Sequence, residues 1–490
     1  MSIKLHNQLS KSIDDFSPLK PGEITLYTCG PTVYSYPTVG NWASYVHWDT
    51  LVRVLQANGY NVNRVMNLTD VGHLVSDADD GEDKLERGAK REGKTAWEVA
   101  EFYADDFIVG MNKLNLIQPT SVPRATEYIT QQLDLVYTLK ERGYTYQISD
   151  GIYFDTSKFK TYGDFAGLNL EALKAGARVE FNPEKRNPTD FALWKFTPEG
   201  QKRDMEWVTP KNILVGDAAT GTADVMGFPG WHIECSAMAI DLLGETIDIH
   251  TGGIDHIPVH HTNEIAQSEA ATGKKFANYW LHSNHLKVNG TKISKSLGNG
   301  YTIQDLEKMG YDPLDLRMAI LQGHYRSEGN FTIEGLDAAR NRRLNWRNVA
   351  ALRHQIHDTL EKNTASNSKN APDYSNDKKR ILEALSNDLG MPEAMSIVDE
   401  RFGIVLNTDL DKIYDSGFYD FLETIDRLLG LNLIETTPDI DEDQKLLIVK
   451  RLRARENKDY GLSDSIRDEL QKSGISVRDT PQGSIWEYTA

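Results

Sequence analysis

Cysteine is nearly absent from this chain: two thiols, Cys29 and Cys235, in 490 residues. So small a supply excludes a disulfide scaffold. It leaves buried apolar thiols, metal ligands or a catalytic thiolate as readings of the pair. No run of about 18 apolar residues occurs, so no membrane-spanning helix is expected. The first residues, MSIKLHNQLSKSIDDFSPLKPGE, lack an apolar segment and a small-residue cleavage site, which points to the cytoplasm rather than secretion. Positive charge is also short: 54 Lys+Arg against 72 Asp+Glu, a net −18. A chain this acidic is not a general nucleic-acid coat, and an RNA partner would need a locally basic surface. There is no Walker-A loop, no HExxH helix and no internal repeat. Asp77 to Gly81 opens like a calcium loop, but Gly88 stands where the loop needs a glutamate.

What is present is an ordinary globular composition, 39% hydrophobic and 26% charged, with length for about three domains. Residues 24–28 are β-rich and end at Cys29-Gly30-Pro31; 43–58 carry apolar residues at helical spacing; 60–66 read as the next strand. Strand, turn, helix and strand form a βαβ unit, and ligands bind at the carboxyl ends of such strands. Cys29 and Thr69 fall at those ends. Residues 80–110 are charged and helical, and 115–210 break into short aromatic segments like an inserted module. A buried strand returns at 247–250, followed by Thr251-Gly252-Gly253, so an α/β core is split around the insertion. From Ile333 the chain is helical, with a polar loop over 361–377. Near the end, Lys445, Lys450, Arg451, Arg453, Arg455 and Lys458 gather positive charge, as a solvated face or a phosphate-binding surface.

Two patterns carry chemistry. In the first, a helix starting after Pro258 puts His260 and Glu264 on one face. Such a pair is often only a hydrogen-bonded cap. Joined by Cys29 and Cys235, which sits just before a helical stretch, it makes a four-ligand set, and soft sulfur favours zinc. In the second, Thr38-Val39-Gly40-Asn41 opens a helix whose amides suit phosphate. Lys292 and Lys295 flank Ser294 in a Gly-bounded loop that can close over a triphosphate or be a plain surface turn.

These residues resemble a known family. Thr38 to Asn41 is similar to the HIGH motif of class I aminoacyl-tRNA synthetases, and Lys292-Ile293-Ser294-Lys295-Ser296 to their KMSKS loop. Within that class YTCGPTVY, NLTDVGHL, GWHIEC, HTGGID, HHTNEIAQSEA, KISKSLGN and GHYRS resemble the cysteinyl-tRNA synthetases, in order along nearly the whole chain. The resemblance implies an α/β, Rossmann-like catalytic domain (1–114 and 211–285) split by a connective module (115–210). A KMSKS-loop and stem-contact region (286–332), a helical bundle (333–435) and a C-terminal anticodon-binding domain (436–490) complete it. It implies one Zn2+ per chain on Cys29, Cys235, His260 and Glu264, and a cysteine pocket at Thr69, Trp231 and Asp255. ATP, taken with Mg2+, falls to Thr38, Gly40, Asn41, Gly252, Gly253, Asp255, Lys292, Ser294 and Lys295, with Thr38, Lys292 and Lys295 as the catalytic group.

The implied reaction joins L-cysteine to ATP as cysteinyl-adenylate, releases pyrophosphate, and passes the cysteinyl group to the 3' end of tRNA(Cys), releasing AMP. The implied enzyme is a cytoplasmic monomer that touches no membrane, with zinc selecting the substrate thiolate over serine. One position departs from the family: Thr38 replaces the first His of HIGH, a phosphate-side donor whose outright loss costs about 3–4 kcal/mol. Threonine keeps a hydroxyl donor, so a smaller loss is expected. Two rivals remain in view. One is a non-catalytic RNA-binding paralogue. The other is an adenylate-forming cysteine ligase acting on an amino-sugar, against which the basic helical C-terminus argues.

Overall fold

The computed structural model describes residues 2–72, 84–168, 182–293, 298–355, 372–408, 410–413, 416–480 and 483–489. The calcium-loop-like segment and most of the polar loop at 361–377 lie outside them. The chain opens with an antiparallel hairpin, β1 (Lys4–Asn7) and β2 (Ser12–Asp15). The expected βαβ unit follows as β3 (Glu23–Thr28), α1 (Val39–Ala57) and β4 (Asn61–Met66). The two strands pair in parallel from Glu23 opposite Asn61 to Thr28 opposite Met66. The charged helical stretch is α2 (Lys84–Glu92) packed on α3 (Ala96–Lys113). Thr95 caps α3 by accepting from the Glu98 N–H.

The insertion holds α4 (Ile129–Glu141) and an antiparallel sheet of its own, in the order β5-β6-β7-β9-β8. Its strands are β5 (Thr145–Ile148), β6 (Gly151–Phe154), β7 (Phe191–Phe196), β8 (Trp207–Val208) and β9 (Met226–Pro229). Because β9 lies between β7 and β8, this sheet runs to Pro229, past residue 210 where the sequence pattern ends the module. The α/β core resumes with α5 (Trp231–Leu243), β10 (Ile247–Gly253), α6 (Thr262–Thr272) and β11 (Ala277–Ser283).

The core sheet is parallel, ordered β11-β10-β3-β4. β10 is flanked on both sides and buried along almost its whole length, polar residues Asp248, His250 and Thr251 included. Cys235 corrects one expectation. It is not ahead of a helix but in the second turn of α5, which is buried from His232 through Ala239. A helix covered on all sides carries no apolar stripe, so its first turn was invisible to spacing.

Beyond the core, β12 (Leu286–Val288) pairs in parallel with β13 (Gly329–Phe331), with α7 (Ile303–Lys308) and α8 (Pro313–Leu321) between them. The helical region comprises α9 (Ile333–Ala351), α10 (Ser375–Ser386), α11 (Met391–Val405) and α12 (Ser416–Leu429). The chain ends with α13 (Glu442–Glu456), α14 (Tyr460–Lys472) and the hairpin β14 (Ile475–Thr480) and β15 (Gly483–Tyr488). Gln355 docks this end by exchanging two 2.8 Å hydrogen bonds with the Trp486 backbone. The terminal basic group divides. Lys445 pairs with Asp439, buried Arg451 grips Asp479, and Arg455 joins it, while Lys450, Arg453 and Lys458 face outward.

α1 is held to the helical region through a buried charge cluster. Asp49 accepts from Arg53 of the same helix and from Arg317 of α8. Arg317 also donates to the Leu429 and Leu114 carbonyls, at 2.7 and 2.8 Å. Burial pulls the Arg317 guanidinium down to about 10, opposed by the Asp49 charge. Burial works against the Asp49 carboxylate too, yet Arg317 and Arg53 outweigh it and hold its pKa low. Removing one partner strands the others away from water. Arg317→Met is therefore expected to lower stability by about 3–5 kcal/mol, measured by urea denaturation.

Candidate active site and metal centre

The carboxyl ends of β3, β4, β10 and β11 open into a cavity of about 570 Å³. Every expected site residue within the described segments except Glu264 lines it. Ser294 and Lys295 lie outside those segments. Cys29 leaves β3, Thr69 follows β4, Gly252 and Gly253 end β10, and Cys235 and His260 come from the helical layer behind.

The metal-type donors converge. One atom each from Cys29, Cys235, His260 and Glu264 lies within 4.8 Å of the other three, and all four residues are buried. A tetrahedral zinc with bonds of about 2.0–2.3 Å draws its donors from such a span. His260 reaches Glu264 across one turn, Nε2 to Oε1 at 2.9 Å, as the sequence spacing requires. The turn Ile257–His261 is π-helical rather than α, so His260 precedes α6 instead of lying on it. A second set, Cys29, His250, His261 and Glu264, is equally compact. His250 and His261 do not border the cavity, and His261 Nδ1 already pairs with His282 Nε2 at 2.7 Å. The first set is the one a small molecule in the cavity can reach.

Electrostatics tie the donors together. Burial opposes the Glu264 carboxylate, but His250 and His260 hold its pKa far below the usual range. Burial likewise opposes the His260 imidazolium, yet Glu264 and Cys235 push it up to about 10. Between the thiols, burial and the Cys235 contact drive Cys29 up. Cys235 comes down to about 6, because the hydrogen bond from Cys29 and the nearby His260 outweigh burial. Without a cation, the Glu264 carboxylate and the Cys235 thiolate are balanced by a protonated His260, and Cys29 keeps its proton. What fits zinc is the convergence of two sulfur donors, an imidazole and a carboxylate.

Sequence reasoning missed the histidine shell. His232 Nδ1 lies 2.9 Å from His260 Nδ1, His250 Nε2 lies 2.9 Å from Glu264 Oε2, and His261 Nε2 lies 3.3 Å from Cys29 Sγ. Trp231 stacks on His260 and Trp280 on His250, each at 4.4 Å between ring centres. The crowding of His250, His256, His260 and His261 into one short segment was the available signal.

On the opposite wall, Thr38 caps α1. Asn41 Oδ1 accepts from both the Thr38 N–H and its hydroxyl, at 2.9 Å each. Gly40 lies under Ile293: a Cβ on it would come within 2.8 Å of Ile293 Cδ1. The two phosphate-type motifs, far apart in sequence, therefore touch. Asn67 links the base of the cavity, accepting from the Gly30 N–H and donating to Thr69 Oγ1.

A parallel sheet with this cavity at its carboxyl edge is the architecture of class I synthetases. Residues 15–341 match the family model for the tRNA synthetases class I (C) catalytic domain. The fold resembles Mycobacterium tuberculosis methionyl-tRNA synthetase with methionyl-adenylate at 14% identity and TM-score 0.58, over 87% of this chain and 93% of that one. It also resembles LeuRS of Agrobacterium radiobacter in a ternary complex with tRNA and LeuAMS, at 11% identity and TM-score 0.60, over 87% and 88%. Residues 437–486 match the cysteinyl-tRNA ligase anticodon binding domain. Cysteine--tRNA ligase of Treponema denticola is 41% identical over 99% of this chain and all of the relative. Cysteine--tRNA ligase 1 of Burkholderia lata is 42% identical over 99% and 96%. The chain belongs to the cysteine–tRNA ligase family.

The floor of the site tolerates no added bulk. A Cβ on Gly252 would come within 2.6 Å of His261 Cε1 and 2.7 Å of His256 Nδ1. Gly252→Ala is expected to cost about 1–3 kcal/mol, read as a lowered thermal midpoint.

Proposed function

We propose that this chain activates L-cysteine with ATP to cysteinyl-adenylate and pyrophosphate, then transfers the cysteinyl group to the 3' end of tRNA(Cys), releasing AMP. The observation that carries the reading is one cavity bordered by both the sulfur-rich donor set and the two phosphate-type motifs. Among the described residues no helix is long and apolar enough to cross a membrane, and we take the working form to be a cytoplasmic monomer. The domain edges stated from the sequence are kept as part of the proposal, with the connective module extended to the end of its sheet.

Cys29, Cys235, His260 and Glu264 are the residues that would hold Zn2+. When bound, zinc stabilises a thiolate far better than a hydroxyl, which separates cysteine from serine where shape cannot. The chain's own groups do the positioning. Thr69, Trp231 and Asp255 enclose the amino acid beside the donor set. Gly252 and Gly253 leave room for the nucleoside against β10, and Asp255 stands at its edge. Gly40 and Asn41 at the start of α1 take the phosphates, with Mg2+ as counter-ion. Lys292 borders the cavity beside them and, with Lys295, supplies positive charge to the leaving pyrophosphate, while Ser294 offers a hydroxyl donor. Holding nucleophile and phosphate in one cavity accounts for much of the acceleration. Lys450, Arg453 and Lys458 offer cations to the tRNA backbone on an otherwise acidic protein. The amino-sugar reading leaves residues 437–486 without a use.

Two measurements test this. Cysteine-dependent ATP–pyrophosphate exchange is expected in protein carrying one zinc per chain, with serine at least about 100-fold poorer. Strong serine-dependent exchange would sink the thiolate reading, and Cys235→Ser should lose both zinc and exchange. The second concerns Thr38, whose single hydroxyl proton is directed at Asn41 rather than into the cavity. Thr38→His is expected to raise the exchange rate about tenfold or more, since it restores a phosphate-side donor. An unchanged rate would mean the donor is dispensable here.

A further inference from the structure

Asp388 sits in the turn between α10 and α11, away from the cavity, and is 3% exposed. Its φ is 55°, and that of the next residue, Leu389, is 54°. Two successive side-chain-bearing residues in the left-handed region persist only where surrounding contacts hold them. The contacts are unusually many. Asp388 Oδ1 accepts from the Tyr325 hydroxyl at 2.6 Å and from the His6 backbone N–H at 2.8 Å. Oδ2 accepts from Arg326 Nε at 2.7 Å. The Asp388 carbonyl lies 2.8 Å from His324 Nε2, and its N–H donates to the Lys4 carbonyl at 2.9 Å. One residue thus joins the helical region, the N-terminal hairpin and three consecutive residues of the loop after α8.

That loop is the outer support of the nucleotide side. The Tyr325 carbonyl accepts from the Asn284 N–H at 2.7 Å, and the Arg326 carbonyl accepts from Asn284 Nδ2 at 3.0 Å. The His285 carbonyl accepts from the Gly329 N–H at 3.0 Å, where β13 begins to pair with β12. β12 leads directly to Lys292. The Tyr325 ring also meets Trp48 of α1 edge-on, with ring centres 5.6 Å apart. Trp48, Asn284 and His285 all line the cavity.

We infer that Asp388 is a positioning residue for the nucleotide side of the cavity: by fixing residues 324–326 it sets α1 against β12, and so the spacing of the two phosphate-type motifs. It touches no substrate. The inference rests on the reading of this cavity as the ATP site.

The test uses the full-length, zinc-loaded protein and its Asp388→Asn and Tyr325→Phe variants. ATP–pyrophosphate exchange gives kcat and the KM values for ATP and cysteine. Calorimetric titration with ATP gives affinity without turnover, and zinc content and thermal midpoint are measured in parallel. Asp388→Asn is expected to lower kcat/KM for ATP about 10- to 100-fold, the scale of a small misplacement. The KM for cysteine and the zinc content should stay within about twofold, a split that general loosening would not give. Tyr325→Phe should show a smaller loss in the same parameter. A folded Asp388→Asn protein with unchanged ATP parameters overturns the inference, as does equal loss toward cysteine and zinc. Should Asp388→Asn fail to fold, unchanged ATP parameters in Tyr325→Phe overturn it. Wild-type protein without exchange would count against the proposed function, and calorimetry would still compare ATP binding in the variants.

Discussion

A carboxylate with no access to solvent, that of Glu264, governs the architecture around it. An ion of that kind costs several kcal/mol to bury unless charge and hydrogen bonds compensate. Compensation comes from both oxygens: His260 faces Oε1 and His250 faces Oε2, each at 2.9 Å. Those imidazoles must then be held, and a tryptophan ring stacks on each. His250 is held by the central strand of the parallel sheet, His260 by the π-helical turn before α6, and the two thiols by β3 and α5. Four elements from both halves of the split domain meet at one buried anion. A cation-binding centre there is thus inseparable from correct assembly of the core.

The opposite wall obeys a packing constraint instead. Gly40 leaves space that Ile293 fills, and the Thr38–Asn41 cap fixes where α1 begins. Since α1 is one long, mostly buried helix, its orientation depends on what grips it further along. The Asp49–Arg53–Arg317 cluster grips its middle, and Trp48 meets Tyr325 on the side that lines the cavity. Both grips are made by segments beyond the catalytic sheet. That arrangement links the helical region to the Thr38–Asn41 end of α1 without any described residue of α9 to α12 lining the cavity.

The limits of reading the chain alone are physical. Periodicity revealed α1 because its apolar residues recur at helical spacing, and β10 showed itself by Ile247 and Ile249 ahead of the Thr251-Gly252-Gly253 turn signal. Periodicity failed at the start of α5, which is buried on all sides. It gave no sign of β9, four residues that pair with β7 and β8 across position 210. Ligand chemistry selected Cys29, Cys235, His260 and Glu264 without coordinates, since few residue types suit a soft cation and only two thiols exist. The surrounding histidines were overlooked because a lone histidine has no spacing rule, and their grouping arises from three separate elements.

Residue types and local spacing by themselves pointed to the split α/β core, the four metal-type donors and the two phosphate-type motifs. Those depend on short-range rules and on chemistry that few side chains can supply. The family came from the resemblance of whole motifs along the chain. Only the tertiary structure decided which donors face the cavity, that the Thr38 hydroxyl turns to Asn41, and that Asp388 reaches the loop behind Asn284. The Asp388 contacts join segments 62 or more residues apart, and Cys29 meets donors from the other half of the split domain. The Thr38 hydroxyl, three residues from Asn41, settled among partners that only the folded chain supplies. No local pattern encodes either result.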